Sequence, residues 1–104
     1  MNLKFRWNKA KAKKNHRKHG VSFDLAKAVF SDAFAMEFLD DRGDYGEERF
    51  VIIGMVDGHI LYVAYSERDD VIRMISARRA TKHEEQAYYE QGAWGTSNDN
   101  ARRH

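Results

Sequence analysis

The 104-residue chain contains no cysteine and no proline. Without thiols it forms no disulfide and offers no thiolate to a metal, so a reducing compartment suits it. Without proline it has no ring-locked kink and no cis-prolyl turn. No segment approaches the roughly 20 consecutive apolar residues needed to span a bilayer, and no apolar run near Met1 has the length of a signal peptide. A soluble, cytoplasmic protein with no membrane contact is the expectation. Glycine is sparse as well, at seven residues. Gly43 and Gly46 belong to an acidic loop that would repel phosphate, which excludes a glycine-rich phosphate cradle. No histidine or carboxylate spacing resembles a metal-ligand set, so neither metal nor other cofactor is expected.

What is present is enough for one core. At 42% hydrophobic and 12% aromatic content, this length supports a single globular domain and leaves little for a second. The net charge of +2 conceals a segregation. Residues 1–20 carry eight Lys or Arg and no acid, residues 21–70 carry twelve acids against four bases, and residues 71–104 carry six bases against four acids. A basic end on a small domain points to a polyanionic partner, although a run of lysines also makes an ordinary solvated helix face.

Periodicity divides the chain into elements. Leu3 to Trp7 (LKFRW) alternates apolar and basic residues, as a short half-buried strand does. Asn8 is placed to cap a helix over 9–19. On a helical wheel Lys9, Lys11, Lys13, Lys14, Arg17 and Lys18 share an arc of about 200°, leaving Ala12, Asn15, His16 and His19 to face the protein. Gly20 suits a left-handed helix end, and Ser22 caps a second helix whose Phe23, Ala26, Val29 and Phe30 form an apolar stripe. From Ala35 the period becomes two. AMEFLD, ERFVIIGMVD, HILYVAYSER and VIRMISARR read as four strands with short links, among them Asp57-Gly58, a strong hairpin signal, and Arg68-Asp69-Asp70. Thr81-Lys82-His83-Glu84 is a capping box that opens a short helix over about 82–91. Residues 1–91 form the predicted domain, and 92–104 are expected to be a mobile tail. The predicted fold is therefore α+β, an antiparallel sheet with the two early helices on one face and a short C-terminal helix.

The strand VIRMISARR raises the functional question. Simple alternation sends Ile72, Met74, Ser76 and Arg78 one way and Val71, Arg73, Ile75, Ala77 and Arg79 the other. Arg78 and Arg79 occupy the last positions before a capped helix, where exposed guanidinium groups on rigid backbone make an anion clamp. Glu67 and Arg68 lie near the link to this strand, and in-register pairing brings Tyr65 and Ser66 closer to Arg73 than to Arg78. Metal-free RNA cleavage needs a base for the 2′-hydroxyl, charge stabilisation for the phosphorane and a proton for the departing oxygen. A carboxylate and several arginines meet the first two. His16 and His19 read as structural, His83 as a candidate base at a helix start, and His59 as an ordinary residue after a turn.

The runs KHGVSF (18–23), YGEERFVIIG (45–54) and ERDDVIRMISARRAT (67–81), in this order and spacing, resemble the BrnT family of toxins from type II toxin–antitoxin modules. The resemblance covers about residues 4–91, and the chain departs from it in having Trp7-Asn8 where the family usually has Trp-Asp. It implies a RelE-like fold and a ribonuclease that arrests translation. It also implies neutralisation by a BrnA-type antitoxin carrying a ribbon-helix-helix domain, within a higher-order complex that reaches operator DNA only through the antitoxin. The charged positions at the sheet end match Arg78 and Arg79, with Glu67, Arg68 and Arg73 upstream. On this reading Arg78 and Arg79 bind the scissile phosphate, Arg73 or Arg68 orients it, and Glu67 is the base. Lys9, Lys13, Lys14, Arg17 and Lys18 hold flanking RNA, which an antitoxin would displace by covering the same face. The contrasting expectation is a non-catalytic basic module that docks an acidic or DNA-binding partner.

Overall fold

The structure, a computed structural model, describes residues 3–41, 43 and 46–97. In chain order the elements are β1 (Lys4–Arg6), α1 (Lys9–His19), α2 (Phe23–Ala26), a 3₁₀ segment (Lys27–Ser31), β2 (Met36–Asp40), β3 (Arg49–Val56), β4 (His59–Arg68), β5 (Val71–Arg79) and α3 (Lys82–Ser97). The fold is α+β around one five-stranded sheet, ordered β1-β5-β4-β3-β2. Strands β2 to β5 are antiparallel to their neighbours. The sheet is nevertheless mixed, not wholly antiparallel, because β1 lies parallel to β5 with Phe5 opposite Ile72. The alternation in LKFRW identifies a strand but carries no information about its partner or direction.

The local signals act as their chemistry dictates. The Asn8 side chain accepts from the Lys11 N–H, and Gly20 closes α1 at φ 73° with its N–H donating to the His16 carbonyl. The Ser22 hydroxyl accepts from the Leu25 N–H. The second helix then tightens into the 3₁₀ segment after Ala26. Glycine at position 54 lets that segment rest on the β3 backbone: a Cβ there would stand 2.7 Å from Val29 Cγ2. In the β3–β4 turn Asp57 and Gly58 both have positive φ, at 50° and 80°, the geometry that primed hairpin turns require. Thr81 and Glu84 bond reciprocally at the start of α3. That helix runs to Ser97 and so takes in 92–97, the first part of the stretch expected as a tail. The remainder of the tail, 98–104, lies outside the described residues.

Each face of the sheet holds an apolar cluster. On one, Val21, Phe23, Ala26 and Val29 pack with Ile52, Leu61, Val63, Tyr65, Ile72, Met74 and Ala77. On the other, Tyr88 of α3 meets Val51, Ile53, Ile60 and Tyr62.

Strand β5 does not alternate regularly. Ala64 pairs with Ser76 and Tyr65 with Met74, so Ile75 is an extra residue and the register shifts there. Such a bulge reverses the facing of every side chain beyond it. Arg73 consequently shares a face with Ser76 and Arg78, while Ile72, Met74, Ala77 and Arg79 share the other. Simple alternation had put Arg73 with Arg79 and Met74 with Arg78.

Past the end of β1 the outer edge of β5 is met by α1 instead of a strand. Buried Asn15 accepts from the Ala77 N–H (3.1 Å) and donates to the Ala77 carbonyl (2.9 Å), the two bonds a neighbouring strand would exchange. It also donates to the Val21 carbonyl. Ala12 packs on the core and His19 is half-buried, but His16 is exposed rather than turned inward.

Replacing Asn15 with alanine leaves both Ala77 backbone groups unpaired in a buried site. The expected loss is about 3 kcal/mol, read as a lower urea midpoint with an unchanged m-value.

Candidate nucleic-acid interface

A row of arginines crosses the sheet at the end where β4 passes into β5. Arg6 of β1 stands opposite Arg73 of β5, and Arg73 opposite Ser66 of β4. Phe50 opposite Tyr65 brings Arg49 of β3 to the same level, where its other neighbour is Asp40 of β2. Paired residues share a face, so Arg6, Arg73, Ser66, Arg49 and Asp40 cross the sheet as one rank on the side that bears α3. Arg68, opposite Val71, follows on the same face at the rim. With neighbouring strands about 4.8 Å apart, the span from Arg6 to Arg49 is roughly 14 Å, the reach of a few nucleotides.

Two like charges directly opposed across a strand pair disfavour the sheet. The Arg6–Arg73 pairing is therefore not explained by folding, and a bound anion would reverse its sign. Among the described residues Arg73 forms an ion pair with Glu47, whose Oε1 is 3.8 Å from Nη1, with side-chain exposures of 61% and 38%. A pair this long and this wet contributes little and yields readily to a phosphate. The rank opens into a cleft of about 520 Å³ lined by Arg6, Arg68 and Arg73 together with Trp7, Asn8, Ser66 and two acids, Glu47 and Asp69. A smaller adjoining cleft brings Lys11 of α1 beside Arg49 and Arg73. The remaining cations of that helix, Lys9, Lys13, Lys14, Arg17 and Lys18, are all exposed.

The residues expected to form one site are divided by the fold. Arg73 and Arg68 belong to the rank. Glu67, opposite Ile72, is on the other face, where it borders a cleft with Glu37 and Tyr65. There the Tyr65 hydroxyl donates to Glu37, and burial together with this bond pushes its phenol well above the usual range. Arg78 lies on the same face as Arg73 but at the hairpin end, opposite Tyr62. Five residues of strand, at about 3.3 Å each, separate the two by roughly 15 Å.

Arg78 is held from three sides. Its guanidinium donates to both Glu84 carboxylate oxygens at 2.9 and 3.0 Å, donates to the Arg79 carbonyl, and lies 3.8 Å above the Tyr62 ring. It locks the start of α3 to the sheet. Arg79 points to the opposite face and contacts His59 Nδ1 at 2.9 Å. His83 is exposed. Arg6 and Arg49 were missed because each belongs to a separate segment. The available signal was the parity shared by Lys4 and Arg6 in LKFRW. Among the described residues no cluster of three or more histidines and acids is arranged to hold a metal.

A family model described as "Ribonuclease toxin, BrnT, of type II toxin-antitoxin system" matches residues 7–84. The chain belongs to the BrnT family. No curated protein matches it. Membership makes it a ribonuclease toxin of a type II module, and such a module includes an antitoxin. The matched range takes in Arg49, Arg68, Arg73, Arg78 and Glu84; Arg6 lies one residue outside it. Among the described residues no helix is long and apolar enough to cross a membrane.

The Arg78–Glu84 lock has a pH signature. Hydrogen bonds from Arg78, outweighing desolvation, hold the Glu84 carboxyl below its ordinary 4.5. A carboxyl depressed in the folded state stabilises above its unfolded pKa, and that contribution disappears as pH falls through the folded value. The difference in unfolding free energy between wild type and Glu84→Gln should be constant above about pH 5.5 and shrink below about pH 4.5. Urea titrations from pH 7 to 3 measure it; a difference independent of pH would contradict the lock.

Proposed function

We propose that this BrnT toxin is a metal-independent endoribonuclease of RelE-like arrangement that arrests translation and is neutralised by a BrnA-type ribbon-helix-helix antitoxin. The observation that carries the reading is the unexplained opposition of Arg6 and Arg73 within an open cleft. A phosphodiester laid across the rank meets guanidinium forks from three strands. Arg73, at the centre, binds the non-bridging oxygens bidentately and stabilises the added charge of the phosphorane. Arg6 and Arg68 orient the phosphate from either side, and Arg49 extends the rank toward the next one.

Among acids, Glu47 is best situated to take the 2′-hydroxyl proton, because it borders the cleft beside Arg73. Glu67, first in line from the sequence, faces away from it. The exposed lysines and Arg17 of α1, joined to the cleft through Lys11, hold flanking RNA and make binding steeply dependent on salt. Arg78 acts on this site indirectly, by seating α3. Arg79 faces the other side of the sheet with its guanidinium against His59, and no contact with this phosphate is assigned to it.

Purified protein incubated with RNA in EDTA should cleave it. Arg73→Ala is expected to slow cleavage about 100-fold or more, as loss of a single oxyanion donor does in other enzymes. Glu47→Gln should slow it as well, and Glu67→Gln should not. Expression of the wild type alone should arrest growth, and that of Arg73→Ala should not. Tight RNA binding without products, or full activity in Arg73→Ala, would contradict the assignment.

A further inference from the structure

The opposite end of the sheet carries a second surface of different chemistry. Between the 3₁₀ segment, the β3–β4 hairpin and α3 lies a groove of about 700 Å³, walled by Ala28, Phe34, Met55, Val56, Tyr88 and Tyr89. Phe34 and Tyr89 are more than half exposed, at 55% and 56%, and Met55 is 36% exposed. Large apolar side chains left in water are normal singly, but three around one concavity mark a contact surface.

This groove is built rather than incidental. The Asp32 carboxylate accepts from the Met55 N–H (2.8 Å), the Phe34 N–H (2.9 Å) and the Tyr88 hydroxyl (2.5 Å), tying together the three elements that form its walls. The Gln91 side chain donates to the Phe34 carbonyl at 2.7 Å, so the backbone carrying the exposed ring is held on both sides. These bonds outweigh the desolvation of Asp32 and hold its pKa below the ordinary range, while burial and the same bond raise the Tyr88 phenol to about 12. An apolar ring presented to solvent on anchored backbone returns little to the monomer, and backbone preorganisation of this kind lowers the cost of binding.

Charge narrows the occupant. Besides Asp32 the lining includes Asp57 and, among the described residues, no lysine, arginine or histidine. Such a surface repels a nucleic-acid backbone and favours a peptide with apolar anchors and at least one cation. We infer that the Phe34–Met55–Tyr89 groove is the docking site for an apolar and basic anchor segment of the antitoxin. The inference rests on membership in a toxin–antitoxin family and not on the position of the RNA site. It gives the molecule two ends, a cationic cleft for RNA and an acidic-rimmed apolar groove for protein. The antitoxin's anchor therefore binds without competing directly for the arginine rank.

The test titrates the protein encoded by the reading frame adjacent to this chain's own into wild type, Met55→Glu, Tyr89→Glu and Phe34→Ser, by calorimetry. Loss of a central anchor should raise Kd at least about 30-fold. RNA cleavage by the free variants and their circular dichroism should match wild type, and Arg73→Ala should bind the antitoxin normally. Tyr89 lies on the exposed side of a helix, so its variant remains informative if Met55→Glu does not fold. Wild-type affinity in Tyr89→Glu and Phe34→Ser would overturn the inference, as would loss of binding in Arg73→Ala alone or no binding to wild type. It would equally fail if the groove variants changed only self-association, pointing to a second copy. Truncation after Ser97 that strengthens antitoxin binding would assign the groove to the chain's own end and overturn it too. RNA cleavage reports on the ribonuclease reading separately, so either can fail alone.

Discussion

Everything distinctive in this molecule depends on how β5 is held where its register breaks. A strand with one extra residue loses its ladder bonds locally and, at a sheet edge, would leave backbone groups exposed to any passing strand. Here β1 covers the edge before the break and Asn15 of α1 covers it afterwards, substituting a side-chain amide for a peptide group at Ala77. The bulge can therefore persist inside a closed hydrogen-bond network. Its consequence is a change of facing beyond Ile75: Ala77 turns to the core, and Arg78 comes to the face on which Arg73 stands with Arg6 and Arg49.

The sheet separates opposing tasks by distance along its strands. At the end where β4 passes into β5, Arg6, Arg68 and Arg73 crowd together at the surface, and the ion pair of Arg73 with Glu47 is long and exposed. At the β3–β4 hairpin end, Arg78 is drawn into a bidentate pair and Asp32 knits apolar walls. A cation with its charge satisfied and a cation with charge to spare thus occur on the same face, roughly 15 Å apart. This distinction, more than the number of arginines, separates the residue that seats α3 from those able to meet a phosphate.

Features encoded over a few residues were legible from sequence: the Asn8 and Ser22 caps, Gly20, the Thr81–Glu84 box and the Asp57-Gly58 turn all follow from neighbours within one helical turn. Family membership was legible in three short runs. The bulge at Ile75 was not, because it is set by pairing with β4 and by an amide far away in the chain. For the same reason the parallel placement of β1, the buried role of Asn15 and the rank joining Arg6 to Arg49 required coordinates. Arg78 illustrates the limit most clearly. Its neighbour Arg79 and its position before a helix suggested a clamp, while Glu84, recognised as a cap, proved also to be its counter-ion.

The central claim is that RNA lies on the face carrying Arg6, Arg49 and Arg73. Arginine side-chain NMR reads this directly, with Nε-labelled protein titrated with a 2′-O-methylated RNA that cannot be cleaved. The account predicts that the Nε–H signals of Arg6, Arg49 and Arg73 move together as RNA is added, with Arg79 following weakly or not at all. Movement of Arg79 with Arg6 and Arg73 undisturbed would place the RNA elsewhere and contradict it.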